Sequence, residues 1–341
     1  MKHEICDVDA LEGTVGGQPL AALMKSIAAL DAHCSAVLGY STAAVMMHRD
    51  REGVIHAGVM GGAAGFARPD GGDHLVFDAG TAQPEAGSAA ALLFLVPGWR
   101  ESLRVNGRID DTGLVVEEAF VHCGKAMIRS HLWSPPVAAT ENGEHVAGES
   151  DRIDDAQRAF LSSAPFAVVG SCDGAGGADA SPKGDPAGFL RVLDDHTVAV
   201  PDRPGNRRTD TFHNLLDRPA VTVLAMSPGD DRVLELRGQA RMTTDPQLLT
   251  SMAVKDQVPK LALVVDVEHC SLRVSDAVQR AALWDDTTHL PDGVLPRAAK
   301  IWADHVKSSD RSGLAATAVR TGVSEAAVRA GIAVDYRKNL Y

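Results

Sequence analysis

The sequence predicts a mainly β protein with flanking helices, built from two copies of one domain and followed by a helical tail. Three observations carry this expectation. Residues 59–66 read VMGGAAGF and residues 182–189 read PKGDPAGF, a constant offset of 123. Residues 88–107 (SAAALLFLVPGWRESLRVNG) lie over residues 219–238 (PAVTVLAMSPGDDRVLELRG), and Trp133 after IRSHL lies over Trp284 after QRAAL. The offset thus grows from 123 to 131 and then 151, as insertions in surface loops would make it grow. Gly-Asp dipeptides and prolines break apolar and alternating runs at short intervals, which is the pattern of an antiparallel sandwich or barrel. A period well above about 50 residues is too long for a solenoid, so each copy is expected to be a domain, at 1–140 and 141–289, with the tail at 290–341.

The elements follow in order. The first copy opens on a helical pattern through Leu20, Leu23, Met24, Ile27 and Leu30, then Val37 and Leu38, and the second through Ile153, Ala156, Phe160 and Leu161. Strands are predicted at 166–170, apolar and β-branched, at 197–200, ending in a Pro-Asp-Arg-Pro-Gly turn, at 221–226, a buried run, and at 233–242, alternating before Thr-Thr-Asp-Pro. A short helix is expected over 207–216. In the tail, Ala298, Ile301, Trp302, His305 and Val306 share a helical face, 313–320 is helical, and a helix follows Ser324, with Ser at the cap and Glu325 in the first turn.

Composition narrows the function classes. The chain has 341 residues and a formal net charge of -12, which argues against a nucleic-acid surface. The helix-turn-helix look of AATAVRTGVSEAAVRAG lacks the basic face that DNA binding needs. Five cysteines in no CxxC arrangement predict reduced thiols in a cytoplasm, with neither a disulfide framework nor a zinc site, and no metal is expected. The start, MKHEICDVDALEG, has no apolar core of a secretory leader, and the run 89–96 is far short of the ~20 residues of a spanning helix. A cytoplasmic protein is expected, taking a small-molecule substrate and neither nucleic acid nor membrane, as a monomer or a homo-oligomer. No GxSxG, HExxH or Walker sequence is present, and GGAAG and GSCDGAGG lack the strand-GxGxxG-helix context of a dinucleotide fold.

Chemistry concentrates at SPKGDPAGF (181–189) and RVLDDHTVAVPDRPGNRR (191–208). Pro204-Gly205-Asn206-Arg207-Arg208 sets a flexible turn and two adjacent guanidinium groups at a helix start, where free amides, the positive dipole end and an Arg fork suit a phosphate. A solvated basic turn is the alternative. His122 beside Cys123 has no metal-ligand spacing and is expected to pack. Lys125 and Arg129 share one face if helical, facing an anion or forming surface salt bridges. Trp133 and Trp284 either cover a ring or fill a core.

These linked motifs resemble the pyridoxamine 5'-phosphate oxidase-like FMN-binding split barrels, in particular members showing SPRGDPPGF, IPDRPGNRR, LRVNGRA and HCGKAxIRSxLW. The resemblance covers roughly residues 20–285, as two copies. It implies two tandem split β-barrels. It also implies that Arg207 and Arg208 hold the FMN phosphate, that Asn206 shapes the turn, that Ser181 and Lys183 lie on a strand lining the flavin, and that Val200, Pro201 and Asp202 face its ring. The first copy keeps LRVNGR and HCGKAMIRSHLW, hence Asn106, Arg108, His122, Lys125 and Arg129, but at 77–88 it has FDAGTAQPEAGS in place of the arginine clamp. The second keeps the clamp, yet reads RVSDAVQRA at 273–281. Family members are usually homodimers with FMN at the subunit interface, so the complementary losses imply an intrachain pseudo-dimer with one FMN between the copies; a first copy reduced to a structural lid is the alternative. The implied activity is an FMN-dependent oxidoreductase acting on an unidentified small molecule, with no catalytic residue assignable. Two other readings are a non-catalytic flavin- or haem-binding protein, with His122 as axial ligand, and a deazaflavin (F420)-dependent reductase. The closing DYRKNLY resembles family tails and is expected to pack on the barrels or lid the site.

Overall fold

The computed structural model describes residues 3–77, 84–134 and 148–341. Half of the segment at 77–88, and the expected boundary at 140, lie outside the described residues.

A short strand β1 (Glu4–Ile5) leads into helices α1 (Val8–Val15), α2 (Leu20–Leu23) and α3 (Ala32–Tyr40). Seven strands follow, β2 (Ala43–Arg49), β3 (Ile55–Gly61), β4 (Arg68–Asp70), β5 (His74–Val76), β6 (Ala89–Leu95), β7 (Ser102–Ile109) and β8 (Gly113–His122), and then α4 (Lys125–Ser130). After α5 (Asp155–Ser163) come β9 (Phe166–Cys172), β10 (Ala178–Gly184), β11 (Arg191–Asp194) and β12 (Thr197–Pro201). Helix α6 (Asp210–Asp217) precedes β13 (Ala220–Met226) and β14 (Arg232–Thr243), α7 (Pro246–Ser251) precedes β15 (Ala262–Val274), and α8 (Asp276–Arg280) ends the second half. The tail holds α9 (Ala298–Ser308), α10 (Leu314–Gly322) and α11 (Glu325–Lys338).

The protein is mainly β, with two antiparallel sheets. Their hydrogen-bonded orders are β3-β2-β6-β7-β8-β5-β4 and β10-β9-β13-β14-β15-β12-β11. Counted from the first strand of each sheet, both run 2-1-5-6-7-4-3. The sequence offsets hold at the level of single contacts. Trp133 Nε1 donates to the Trp99 carbonyl at 2.6 Å, and Trp284 Nε1 to the Asp230 carbonyl at 2.9 Å. The two indoles meet with centroids 6.2 Å apart, half-buried against the apolar cluster between the sheets.

Strands β2, β6, β9 and β13 are apolar almost throughout because both of their faces are covered. In β6, Ala90, Leu92 and Phe94 enter the core of the first sheet, while Ala91, Leu93 and Leu95 enter a separate cluster shared with the second. Phe166 and Val168 of β9 and Leu224 and Met226 of β13 reach that shared cluster from the other side. The two sheets therefore pack face to face across an apolar layer.

Several expectations shift. The first helical pattern divides into α2 and α3, with Ile27 in a bridge to Ala119 between them. The helix expected from 207 starts at Asp210, after Arg207 and Thr209 at positive φ. Strands β11 and β15 were not among the predicted runs. β1 pairs with β14 of the second sheet, Glu4 with Thr243 and Ile5 with Met242. In the tail, Ser324 caps α11 by accepting from Ala327 N, and that helix continues through Asp335, Tyr336 and Arg337. Trp302 of α9 is buried in the first sheet's core and donates to the Val121 carbonyl at 2.9 Å. No described helix is long and apolar enough to cross a membrane.

Candidate functional site

One pocket draws its walls from both halves. Arg104, His122, Lys125 and Arg129 come from β7, β8 and α4, and Ser181, Lys183, Pro201, Asp202 and the run 205–212 come from the second half. Its volume is about 110 Å³. Ten of the residues expected from sequence line it: Ser181, Lys183, Pro201, Asp202, Asn206, Arg207, Arg208, His122, Lys125 and Arg129. Three do not. Val200 is buried in the core of the second sheet, Arg108 is half-exposed and pairs with Glu117 at 3.3 Å, and Asn106 donates to Glu118 at 3.0 Å.

Strict alternation puts Arg104, Asn106 and Arg108 on one face of β7, and β7 pairs with β6 residue for residue through Arg108. The extra residue is Glu117 of β8, between the pairs Asn106–Glu118 and Gly107–Val116. Arg108 lies beyond this bulge, away from the pocket, where it pairs with Glu117. Gly107 permits the close approach, since a Cβ there would run into the Val115 carbonyl.

The floor is a buried ion network around Phe120. The Arg104 and Arg208 guanidinium carbons lie 4.2 and 3.9 Å from the Phe120 ring centroid. Arg104 contacts Asp179, Asp210 at 2.8 Å and Glu118 at 3.3 Å. Arg208 donates from Nε to Asp210 and from Nη2 to Glu118, each at 2.8 Å, and from Nη1 to Ser26 Oγ. Burial pushes the Glu118 carboxyl up, but Arg104 and Arg208 outweigh it and hold it at about 2. Asp179 also accepts from Ser181 Oγ at 2.9 Å and Thr211 Oγ1 at 2.7 Å. Arg208, expected on a phosphate, is thus already engaged by two carboxylates. Arg207 is exposed and has no ion-pair partner among the described residues.

The other cations are also oriented. Lys183 Nζ sits 3.0 Å from Asp202 and 4.9 Å from the Phe212 ring centroid. Arg203 and Asp185 form a buried pair at 2.6 Å beside them. Lys125 and Arg129 lie on α4 but are buried, contrary to a surface salt-bridging role. Gly184 lets α4 come against β10, since a Cβ there would collide with the Ala126 carbonyl. Arg129 consequently donates from Nε to the Gly184 carbonyl at 2.8 Å. His122 packs on Phe120 with centroids 4.8 Å apart, and its buried Nε2 has no hydrogen-bond partner. Burial first, then Arg104, Arg208, Lys183 and Lys25, drive its pKa well below the usual histidine value, so the ring is neutral.

The tail reaches this wall. Tyr336 Oη accepts from Gly124 N at 2.7 Å, Asp335 lies 2.7 Å from Lys125 Nζ, and Arg129 Nη1 donates to the Leu340 carbonyl at 2.8 Å. Arg104, Glu118, Asp179, Asp210 and Phe120 were not foreseen as parts of the site. Arg104 sits inside the LRVNGR motif, so the motif itself pointed at the right strand.

Residues 153–275 match the pyridoxamine 5'-phosphate oxidase family. The match runs from just before α5 to the end of β15, so it includes the 204–208 turn and the strand β10 that carries Lys183. No curated protein matches the chain. Among solved structures, HupZ from group A Streptococcus is 18% identical, covering 34% of this chain and 90% of its own, with a TM-score of 0.29. A putative pyridoxamine 5'-phosphate oxidase from Lactobacillus delbrueckii is 14% identical over 36% of this chain and 94% of its own, with a TM-score of 0.29. General stress protein 26 from Bacillus anthracis is 12% identical over 34% and 88%, with a TM-score of 0.28.

Proposed function

We propose that the chain is an FMN-dependent oxidoreductase whose two halves, 1–140 and 141–289, act as a fused pseudo-dimer holding one FMN in the composite pocket, with 290–341 as a covering tail. The observation that carries this reading is the lining itself: six positions from 104–129 and the run 181–212 meet around one cationic cavity. The residues suit the group. Arg207 offers an uncommitted guanidinium beside the Asn206 turn, and Asn206 Oδ1 already shapes that turn by accepting from Arg208 N at 3.1 Å. The buried, unpartnered His122 Nε2 leaves one polar group for a ligand to satisfy.

In this reading Arg207 binds the phosphate, with Arg208 adding field from its carboxylate-braced position, and Lys183, Pro201 and Asp202 flank the ring. The bound flavin supplies hydride chemistry; the protein supplies anchoring, orientation and exclusion of water. The cavity is below the ~300 Å³ of typical ligand pockets, so binding would need it to widen, and the contacts of Asp335 and Leu340 with Lys125 and Arg129 are where we place that movement. Titration of the flavin-free chain with FMN tests the proposal. One equivalent per chain is expected. Two equivalents defeat the shared site, and none defeats the flavin reading.

A further inference from the structure

Away from this pocket, α3 meets the tail helix α9 at a cluster of unlike donors. Asp31 caps α3, its Oδ1 accepting from Cys34 N at 2.8 Å. Its other oxygen, Oδ2, lies 3.2 Å from His305 Nε2. The ligand atoms of Asp31, Cys34 and His305 all stand within 4.8 Å of one another. Cys34 and the His305 side chain are fully buried, while Asp31 is 36% exposed.

The imidazole decides what belongs there. His305 Nδ1 is 3.0 Å from the Lys25 carbonyl oxygen, which only accepts, so Nδ1 carries the proton. In the neutral ring Nε2 is then a lone pair. It makes no hydrogen bond, and it faces a carboxylate oxygen that is also an acceptor. Two acceptors at this distance need a cation between them, either a second proton or a metal ion. A proton would have no use for the neighbouring thiol; a metal would. One sulfur, one imidazole nitrogen and one carboxylate oxygen form a ligand set typical of zinc, and a histidine whose other nitrogen donates to a backbone carbonyl is how such ligands are commonly oriented. Tetrahedral zinc would bring the three atoms to roughly 3.3–3.8 Å apart, a small contraction for side chains.

We propose that Asp31, Cys34 and His305 bind one zinc ion that pins α9 to α3, with water entering on the Asp31 side as fourth ligand. Binding displaces two protons to solvent, that of the Cys34 thiol and the one held between His305 Nε2 and Asp31 when no metal is bound. The proposal is independent of the flavin reading.

Cobalt is the probe. The full chain, stripped with chelator and titrated with Co²⁺ under reducing conditions, should take up one equivalent and develop a thiolate-to-cobalt charge-transfer band. Cys34→Ser should abolish that band and weaken binding at least tenfold, and His305→Gln should weaken it similarly. Zinc should raise the melting temperature of the stripped wild type and displace the cobalt. If the wild-type titration at saturating cobalt gives no charge-transfer band, the proposal is overturned, and Asp31 and His305 are a carboxylate–imidazolium pair. A band that survives in Cys34→Ser overturns it too, because another cysteine is then the ligand. The wild-type result stands even if a variant does not fold.

Discussion

The Arg208 guanidinium, assigned by sequence to a phosphate, lies 2.8 Å from Glu118 of the opposite half. The two halves of the chain are thereby joined by a charge pair at the floor of the pocket. A phosphate reaching Arg208 has to share it with Glu118 and Asp210, whereas Arg207 has no such competitor among the described residues.

The two arginines should therefore separate. Arg207→Ala is expected to weaken FMN binding by about ten- to a hundredfold, the value of one or two charge-assisted hydrogen bonds, without lowering the melting temperature. Arg208→Ala should destabilise the fold by about 3 kcal/mol, because it leaves buried carboxylates short of a partner. Riboflavin, which has no phosphate, should bind the Arg207 variant as it binds wild type. Equal weakening for both ligands would make Arg207 a structural residue.

Stability should depend on pH through Glu118. Its carboxyl is at about 2 in the fold against an ordinary 4.5, so the folded state binds the proton more weakly than the unfolded state. The contribution, about 3 kcal/mol at most, is fully present above pH 4.5 and is lost as pH falls toward 2. Glu118→Gln should be less stable than wild type at neutral pH, and the gap should close over that window in denaturant titrations. A gap that stays constant down to pH 2 would show that the carboxylate charge does not matter.

Gly184→Ala should displace α4. The new methyl group would meet the Ala126 carbonyl, which is backbone and cannot rotate away, so a loss of about 2–3 kcal/mol is expected. Lys125 and Arg129 would move with the helix, and FMN binding should fall with them. Gly61→Ala, whose methyl would lie 2.8 Å from Thr42 O and 2.9 Å from Ala277 O, should cost less and leave FMN binding intact.

Removing residues 335–341 should speed FMN association severalfold in stopped-flow fluorescence, because Lys125 and Arg129 lose their tail partners. Tyr336→Phe, which removes only the acceptor for Gly124 N, should have a smaller effect in the same direction, near 1 kcal/mol. Slower association in the truncated chain would mean that the tail builds the site and does not cover it.

Much of this was legible in the sequence because repeats constrain each other. The 123- and 151-residue offsets align Gly184 with Gly61 and Ala126 with Ala277, and the structure has both pairs in close approach. The ten lining residues lie in linked motifs that keep their spacing. What escaped was set by place along a strand and by distance along the chain. Arg108 came with the LRVNGR motif, and a motif does not show how far along β7 the pocket extends. Arg104, Glu118 and Asp210 look like ordinary charged positions until β7, β8 and the 205–210 turn are brought together. Spacing along the chain also cannot show that Asp31, Cys34 and His305, from the start of α3 and from the tail, come within 4.8 Å of one another.

The ends of the chain are exchanged between the two sheets. Glu4 and Ile5 pair with the end of β14 in the second sheet and Leu11 enters its core, while Ile301 and Trp302, near the other end, fill the core of the first. During synthesis the first sheet emerges long before the helix that seals it, and the second waits with its N-terminal strand already made. Neither half has its whole interior within its own stretch of sequence. A chain cut between the halves therefore separates each sheet from a piece of its own core.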